Sequence, residues 1–211
     1  MKKGSLSVVG TGYIAAGHIT AESEALIKSA EKCLYLVADP AAAALIKSLS
    51  QTAESLKDAY GVGKSRHQSY CEMVERMLAP VRQGLDVCAA FYGHPGVFAL
   101  PSHEAIRQAR AEGFEARMLP GVSAEDCLFA DLGLDPAVYG CQSFEASDFL
   151  IRRRKFDPTS NLILWQVGAI VGPLLGGWGY AAGGAAWAYV GVAVWLALGV
   201  WYAARLTPSP P

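Results

Sequence analysis

The sequence predicts an α/β fold, a largely parallel sheet flanked by helices, and three observations carry that prediction. Short apolar runs of strand length alternate with segments of helical periodicity. The turns between them are short and marked by glycine. Three apolar runs end in loops of unusual composition, Gly10-Thr11-Gly12, Tyr92-Gly93-His94-Pro95-Gly96 and Leu119-Pro120-Gly121-Val122-Ser123. In sheets of this class, ligands gather at the carboxyl ends of the strands.

Leu6-Ser7-Val8-Val9-Gly10 reads as a short buried strand closed by a glycine turn. Thr20 offers an N-cap, with Glu22 and Glu24 in the first turn, for a helix to about Ala30. Cys33 to Val37 is a second strand, closed by Asp39-Pro40, and a short Ala-rich helix and a polar stretch to Gly63 follow. From Arg66, apolar residues at Tyr70, Met73, Val74, Met77, Leu78 and Val81 mark one helix face, with Gly84 as its stop and Pro80 as a point where it would end early. Val87 to Phe91 is a third strand. Ser102 to Ala111 is helical with Gly113 behind it, and Phe114 to Leu119 is a strand. Ser123 with Asp126 predicts a capping box for a helix through Leu132. No internal repeat interrupts this order.

The chain has 211 residues, enough for one large domain or two small ones. Its net charge is −1, from 18 Lys+Arg against 19 Asp+Glu, which leaves no electrostatic footprint for nucleic acid. The five cysteines, Cys33, Cys71, Cys88, Cys127 and Cys141, are scattered and never spaced C-x-x-C. That pattern argues against a disulfide framework and a zinc site, and it suits a reducing cytoplasm. The apolar run after Met1-Lys2-Lys3-Gly4 is too short for a signal peptide, so the fold is expected to begin almost at once.

Gly10-Thr11-Gly12 is not a dinucleotide fingerprint, because Gly17 stands five residues after Gly12 where the motif needs three. Alone, it reads as a plain turn or as a close backbone approach to a ligand. The stretch from Tyr92 to Phe98 says more. Two glycines and a proline fix its backbone after a buried strand, and His94 projects from it among aromatics, which makes His94 a candidate functional residue.

With their spacing, Val9-Gly10-Thr11-Gly12, Ala38-Asp39-Pro40, Tyr92-Gly93-His94-Pro95-Gly96-Val97-Phe98, Leu119-Pro120-Gly121-Val122-Ser123-Ala124-Glu125 and Asp131-Leu132-Gly133-Leu134-Asp135-Pro136 resemble the tetrapyrrole (corrin/porphyrin) methylases. Within that superfamily the chain is more similar to the borosin-type peptide backbone α-N-methyltransferases. The residues that carry this are His94, where porphyrin methylases usually have Asp, together with Arg66-x-x-x-Tyr70, Cys141-Gln142-Ser143-Phe144-Glu145-Ala146 and Leu164-Trp165-Gln166. The resemblance spans about Ser5 to Gly168. It implies S-adenosylmethionine as cofactor, held between two α/β lobes by Gly12, Tyr92, His94, Val97, Phe98, Ser123, Ala124 and Gln142. It also implies a catalytic set of Tyr60, Arg66, Tyr70 and Tyr92, a peptide substrate, and a homodimer. The lobes are expected at 1–120 and, truncated, at 121–171.

A backbone amide nitrogen is a poor nucleophile because its lone pair is delocalised into the carbonyl. Methylating it calls for removal of the N–H proton. A tyrosine whose pKa a guanidinium lowers is a suitable base. Arg66 and Tyr70 are four apart on a predicted helix and share a face. Tyr70 or Tyr60 is therefore expected to take the proton, with Arg66 balancing the charge and Tyr92 aiming the methyl group. Read without the resemblance, Tyr70 packs with Met73 and Met77 and Arg66 is a solvated helix start.

After Asp157 no Asp, Glu, Lys or Arg occurs until Arg205. The segment 172–211 departs from the family pattern and is expected to be an apolar helical tail. Ala185 to Ala204 is long enough to span a bilayer, with aromatics towards its ends, and resembles part of a transporter of the major facilitator type. A second span over Leu162–Gly179 would leave Arg152-Arg153-Arg154-Lys155 and Arg205 on one side. Two other readings remain: Val190–Val200 as a hydrophobic core peptide, or a buried helix that patches the shortened lobe. The sequence thus predicts a cytoplasmic methyltransferase domain, membrane-associated through 185–204. The competing functions are a porphyrin or corrin C-methyltransferase and a catalytically incomplete, membrane-associated fusion product.

Overall fold

The computed structural model describes residues 3–168 apart from 15 and 62. The chain divides after Leu134 into two compact units.

The first unit is built on five parallel strands, β1 (Ser5–Gly10), β2 (Lys32–Leu36), β3 (Glu54–Ser55), β4 (Asp86–Phe91) and β5 (Glu115–Met118), in the order β3-β2-β4-β1-β5. Parallel strands need crossovers, and helices supply them: α1 (Ala21–Ser29), α2 (Pro40–Leu49), α3 (Arg66–Arg82) and α4 (Leu100–Ala111). A fifth helix, α5 (Ala124–Leu132), follows β5. Side chains alternate across the sheet. Val8, Leu34 and Ala89 join Met73, Met77 and Ala105 on one face, while Val9, Cys33 and Ala90 join Ile27 and Ile46 on the other. Covering both faces explains why the strands read as continuous apolar runs.

The helix ends follow from their residues. Thr20 accepts the Ser23 N–H at 3.1 Å to start α1. Ser65 and Gln68 cap α3 reciprocally, and Ser123 and Asp126 do the same for α5, as the spacing predicted. Pro80 does not end α3 early. The bond it cannot donate lies in the last turn, and the helix runs on to Arg82. Its end is closed by Gly84 at φ +89°, with the Gly84 N–H on the Val81 carbonyl and the Leu85 N–H on the Pro80 carbonyl at 2.9 and 3.1 Å. The stretch before Gly63 is more than a polar connection: it holds β3 and a 3-10 turn over Lys57–Ala59, and its Leu56 and Ala59 are fully buried.

In the second unit β6 (Cys141–Glu145) pairs in parallel with β7 (Asn161–Trp165), and α6 (Ala146–Ile151) lies between them in sequence. Phe149 sits 5.6 Å from Phe144 and 5.7 Å from Phe156, ring centre to ring centre, and the Trp165 Nε1–H donates to Ser143 Oγ at 2.5 Å. Because Leu162 to Trp165 are strand, the expected second span over Leu162–Gly179 is corrected at its start. Among the described residues no helix is long and apolar enough to cross a membrane. The span expected at 185–204, the core peptide at Val190–Val200 and the apolar helical tail as a whole lie outside the described residues.

Candidate active site

From β1 the chain crosses through α1 towards β2 on one side; from β4 it crosses through α4 to β5 on the other. Neighbouring strands whose connections diverge in this way leave a crevice at their carboxyl ends. The loops there are the two glycine-rich segments, and they are joined to each other. Gly12 and Gly93 form an isolated antiparallel bridge, with N–H to carbonyl distances of 3.3 and 3.0 Å. A Cβ on Gly10 would lie 2.3 Å from the Gly93 carbonyl oxygen and 3.0 Å from the Gly121 Cα. Three strand-end loops therefore meet backbone to backbone, and only glycine admits the contact.

Beside this junction lies a cavity of about 370 Å³. Its walls are Leu36, Val37 and Ala38 at the end of β2, Phe91 and Tyr92 at the end of β4, then Val97, Phe98, Ala99 and Pro101, together with Lys57, Tyr60 and Tyr70. The helical spacing brings Arg66 and Tyr70 together, Nη1 to Oη at 3.5 Å. Tyr60, in the segment before α3, meets Tyr70 edge-on at 6.4 Å. Tyr70 thus meets both Arg66 and Tyr60, and Tyr92 shares the cavity with Tyr60 and Tyr70.

Their electrostatics differ from the expectation at one point. Burial pushes the Tyr60 hydroxyl above its ordinary value, the neighbouring Tyr70 adds to this, and Arg66 only partly opposes it. Tyr60 therefore holds its proton at neutral pH. Arg66 is itself pushed up by its hydrogen bond with Tyr70 and stays charged. Burial likewise raises Tyr92, and the neighbouring Tyr13 hydroxyl adds to this; the two rings lie 5.7 Å apart, centre to centre.

The residues expected at the cofactor are placed as follows. Val97 and Phe98 line the cavity, Phe98 at a left-handed φ of +53° and half exposed. His94 secures its own loop: Nδ1 accepts the Gly96 N–H at 2.9 Å, which puts the proton of the neutral ring on Nε2. Gly12 has φ +76°, and a Cβ there would lie 2.1 Å from the His18 Cβ, so close packing alone requires glycine. The buried Ser123 oxygen accepts from the Glu125 and Asp126 N–H groups at 3.1 Å each, and Ala124 begins α5. Gln142 belongs to the second unit, where its side chain bonds Ser160 and Asp157. The sequence reading did not single out Lys57 or Tyr13. Tyr13 directly follows Gly12 at a strand end, which was a usable signal; Lys57 had none.

Residues 5–169 match the family described as Tetrapyrrole (Corrin/Porphyrin) Methylases, and the chain belongs to it. The relatives it resembles within that family are fungal. It is 54% identical over 169 residues to the methyltransferase/ribosomally synthesized cyclic peptide dendrothelin A precursor of Dendrothele bispora, covering 80% of this chain and 40% of that one. It is 51% identical over 170 residues to a methyltransferase/ribosomally synthesized type I borosin cyclic peptide precursor of Mycena rosella, covering 80% and 43%. The chain thus spans about two-fifths of the length of these relatives. Among solved structures it is similar to uroporphyrin-III-C-methyltransferase from Thermus thermophilus (TM-score 0.56, 20% identity, 77% of this chain and 68% of that one). At that identity the likeness shows the fold alone.

Proposed function

We propose that the chain is an S-adenosylmethionine-dependent methyltransferase core that methylates backbone amide nitrogens of a peptide. The observation that carries this is the cluster of Tyr60, Arg66 and Tyr70 facing Tyr92 and Phe98 across one apolar cavity. The names of the fungal relatives, which join a methyltransferase to a cyclic peptide precursor, support the substrate class.

The residues present fit the cofactor. Aromatic rings line the cavity and favour a sulfonium by cation–π attraction, apolar walls suit an adenine, and no carboxylate among the lining residues competes for the positive centre. When bound, S-adenosylmethionine supplies an electrophilic methyl group. Tyr92, Val97 and Phe98 would hold it, with Gly12, His94, Ser123 and Ala124 completing its surroundings.

The remaining work falls to this chain's own side chains. Tyr70 Oη takes the amide proton, because it is the hydroxyl next to the guanidinium. Arg66, fixed in its charged form, offsets the negative charge that the Tyr70 oxygen carries before it accepts the proton and that the amide carries once it has lost it. Tyr60 keeps its proton and donates towards the acceptor group. Leu36, Val37 and Phe91 exclude water, which strengthens each of these interactions. Alignment does the rest.

Tyr70→Phe tests the assignment. Methyl groups added to a peptide, counted by mass spectrometry, should appear about 100-fold more slowly or worse, while calorimetry shows cofactor binding retained. Undiminished methylation removes Tyr70 as the base. Transfer to a tetrapyrrole and not to peptide would replace the substrate class.

A further inference from the structure

Among the residues that line the cavity beside the tyrosine cluster, one is formally charged, Lys57. Nothing in the chemistry above uses it.

Its neighbours leave it uncompensated. The acidic side chains nearest in sequence are Glu54 and Asp58, and both are taken. Arg76 binds Asp58 at 2.7 Å and Glu54 at 2.6 Å, while Lys32 binds Glu54 at 2.5 Å. No described carboxylate forms an ion pair with Lys57. Its backbone is fixed all the same. The Lys57 N–H donates to Ser55 Oγ at 3.1 Å, its carbonyl accepts the Tyr60 N–H at 3.1 Å, and the fully buried Leu56 and Ala59 anchor the turn on either side. Arg66, the other nearby cation, is engaged with Tyr70. A lysine on an anchored turn, without a described carboxylate partner and lining an otherwise uncharged cavity, is complementary to an anion, and a carboxylate suits a compact, strongly hydrated ammonium.

We infer that Lys57 is the carboxylate-binding residue of this cavity and so sets which ligands the site accepts. The inference rests on the proposed methyltransferase function. Two carboxylates are available to such a site: that of the methionyl part of the cofactor, and an acidic side chain near the methylated residue of a peptide.

Two matched pairs of ligands distinguish them, with binding to the full chain measured by calorimetry. One pair is S-adenosylmethionine against its decarboxylated analogue; the other is an apolar peptide carrying Glu against the same peptide carrying Gln. In one pair the wild type should bind the acid about tenfold more tightly. Lys57→Met should abolish that preference without weakening the neutral partner, and Lys57→Arg should restore most of it. Loss in the first pair assigns Lys57 to the cofactor, and loss in the second assigns it to the peptide. Circular dichroism of Lys57→Met should match the wild type, because the exposed side chain makes no bond that holds the turn. An acid preference equal in wild type and Lys57→Met overturns the inference and leaves the methyltransferase reading standing. Failure of the wild type to bind any of the four ligands overturns both.

Discussion

Gly10 is the position where one added carbon tests most of this description. Its φ is not in the left-handed region, so backbone strain is no obstacle to alanine; space is. The new Cβ would stand 2.3 Å from the Gly93 carbonyl oxygen, 2.9 Å from Pro95 Cδ and 3.0 Å from Gly121 Cα. Ordinary contact begins near 3.4 Å, so the loop carrying Gly93 must retreat by roughly 1 Å. All three neighbours are backbone or proline ring, and none can rotate away. Overpacking of this kind costs about 1–3 kcal/mol. The functional cost should be larger, because Tyr92, Val97 and Phe98 ride on the displaced loop, and a 1 Å misplacement can cost about 100-fold in rate. Gly133→Ala is the control: its φ is +63° but no atom lies within 4 Å of the added carbon. It should pay about 1–2 kcal/mol for conformation and keep its methylation rate. Urea unfolding and a peptide methylation assay measure the two effects. If Gly10→Ala stays within about 0.5 kcal/mol of wild type and methylates at the wild-type rate, the three-loop junction does not position the site.

Two further predictions concern titrating groups. Lys32 first, then Arg76, hold the Glu54 carboxyl below its ordinary 4.5. A lowered folded-state value stabilises the fold above 4.5 and loses that gain as the pH falls through it. Glu54→Gln should therefore cost under about 1 kcal/mol near neutral pH, given how exposed the pair is, and its denaturation curve should converge with that of the wild type in acid. A constant gap at every pH would contradict this. Cys33 and Cys88 face each other across β2 and β4; burial pushes the Cys33 thiol up to about 11 and Cys88 further still. The exposed Cys71 should react first with an aromatic disulfide reagent at neutral pH, and Cys33 and Cys88 only on unfolding. Reaction of all the thiols at one rate in the native chain would refute the packing.

How much of this was legible in the sequence depended on whether a residue carried a repeating signal. The strands around Val8, Leu34 and Ala89 did, because burial on both faces leaves unbroken apolar runs. So did α3, whose face of Met73, Val74, Met77 and Val81 fixes where Arg66 and Tyr70 point. Leu56 and Ala59 did not: a 3-10 turn of three residues is too short to show a period, and a polar neighbourhood hides two core positions. Lys57 was lost with them. His94 is a different case. Its loop marks it as unusual, but the sequence cannot show that Nδ1 is spent on the Gly96 N–H two residues away.

The tyrosine cluster shows why spacing could bring candidates together and still leave their proposed roles open. Tyr60 and Tyr70 were interchangeable as bases when only their nearness to Arg66 could be read. The proton on Tyr60 depends on the sum of two opposed effects, desolvation and a nearby cation, and burial is a property of the folded chain. At Tyr60 burial wins over Arg66 and the proton stays on. Tyr70 stands on the helix that also carries Arg66, so their 3.5 Å contact is built into one rigid element and needs no loop to hold it. Tyr60, just after the turn, and Tyr70, on the helix, therefore reach the same cavity from different elements. Removing the Tyr60 hydroxyl should slow transfer less than removing that of Tyr70.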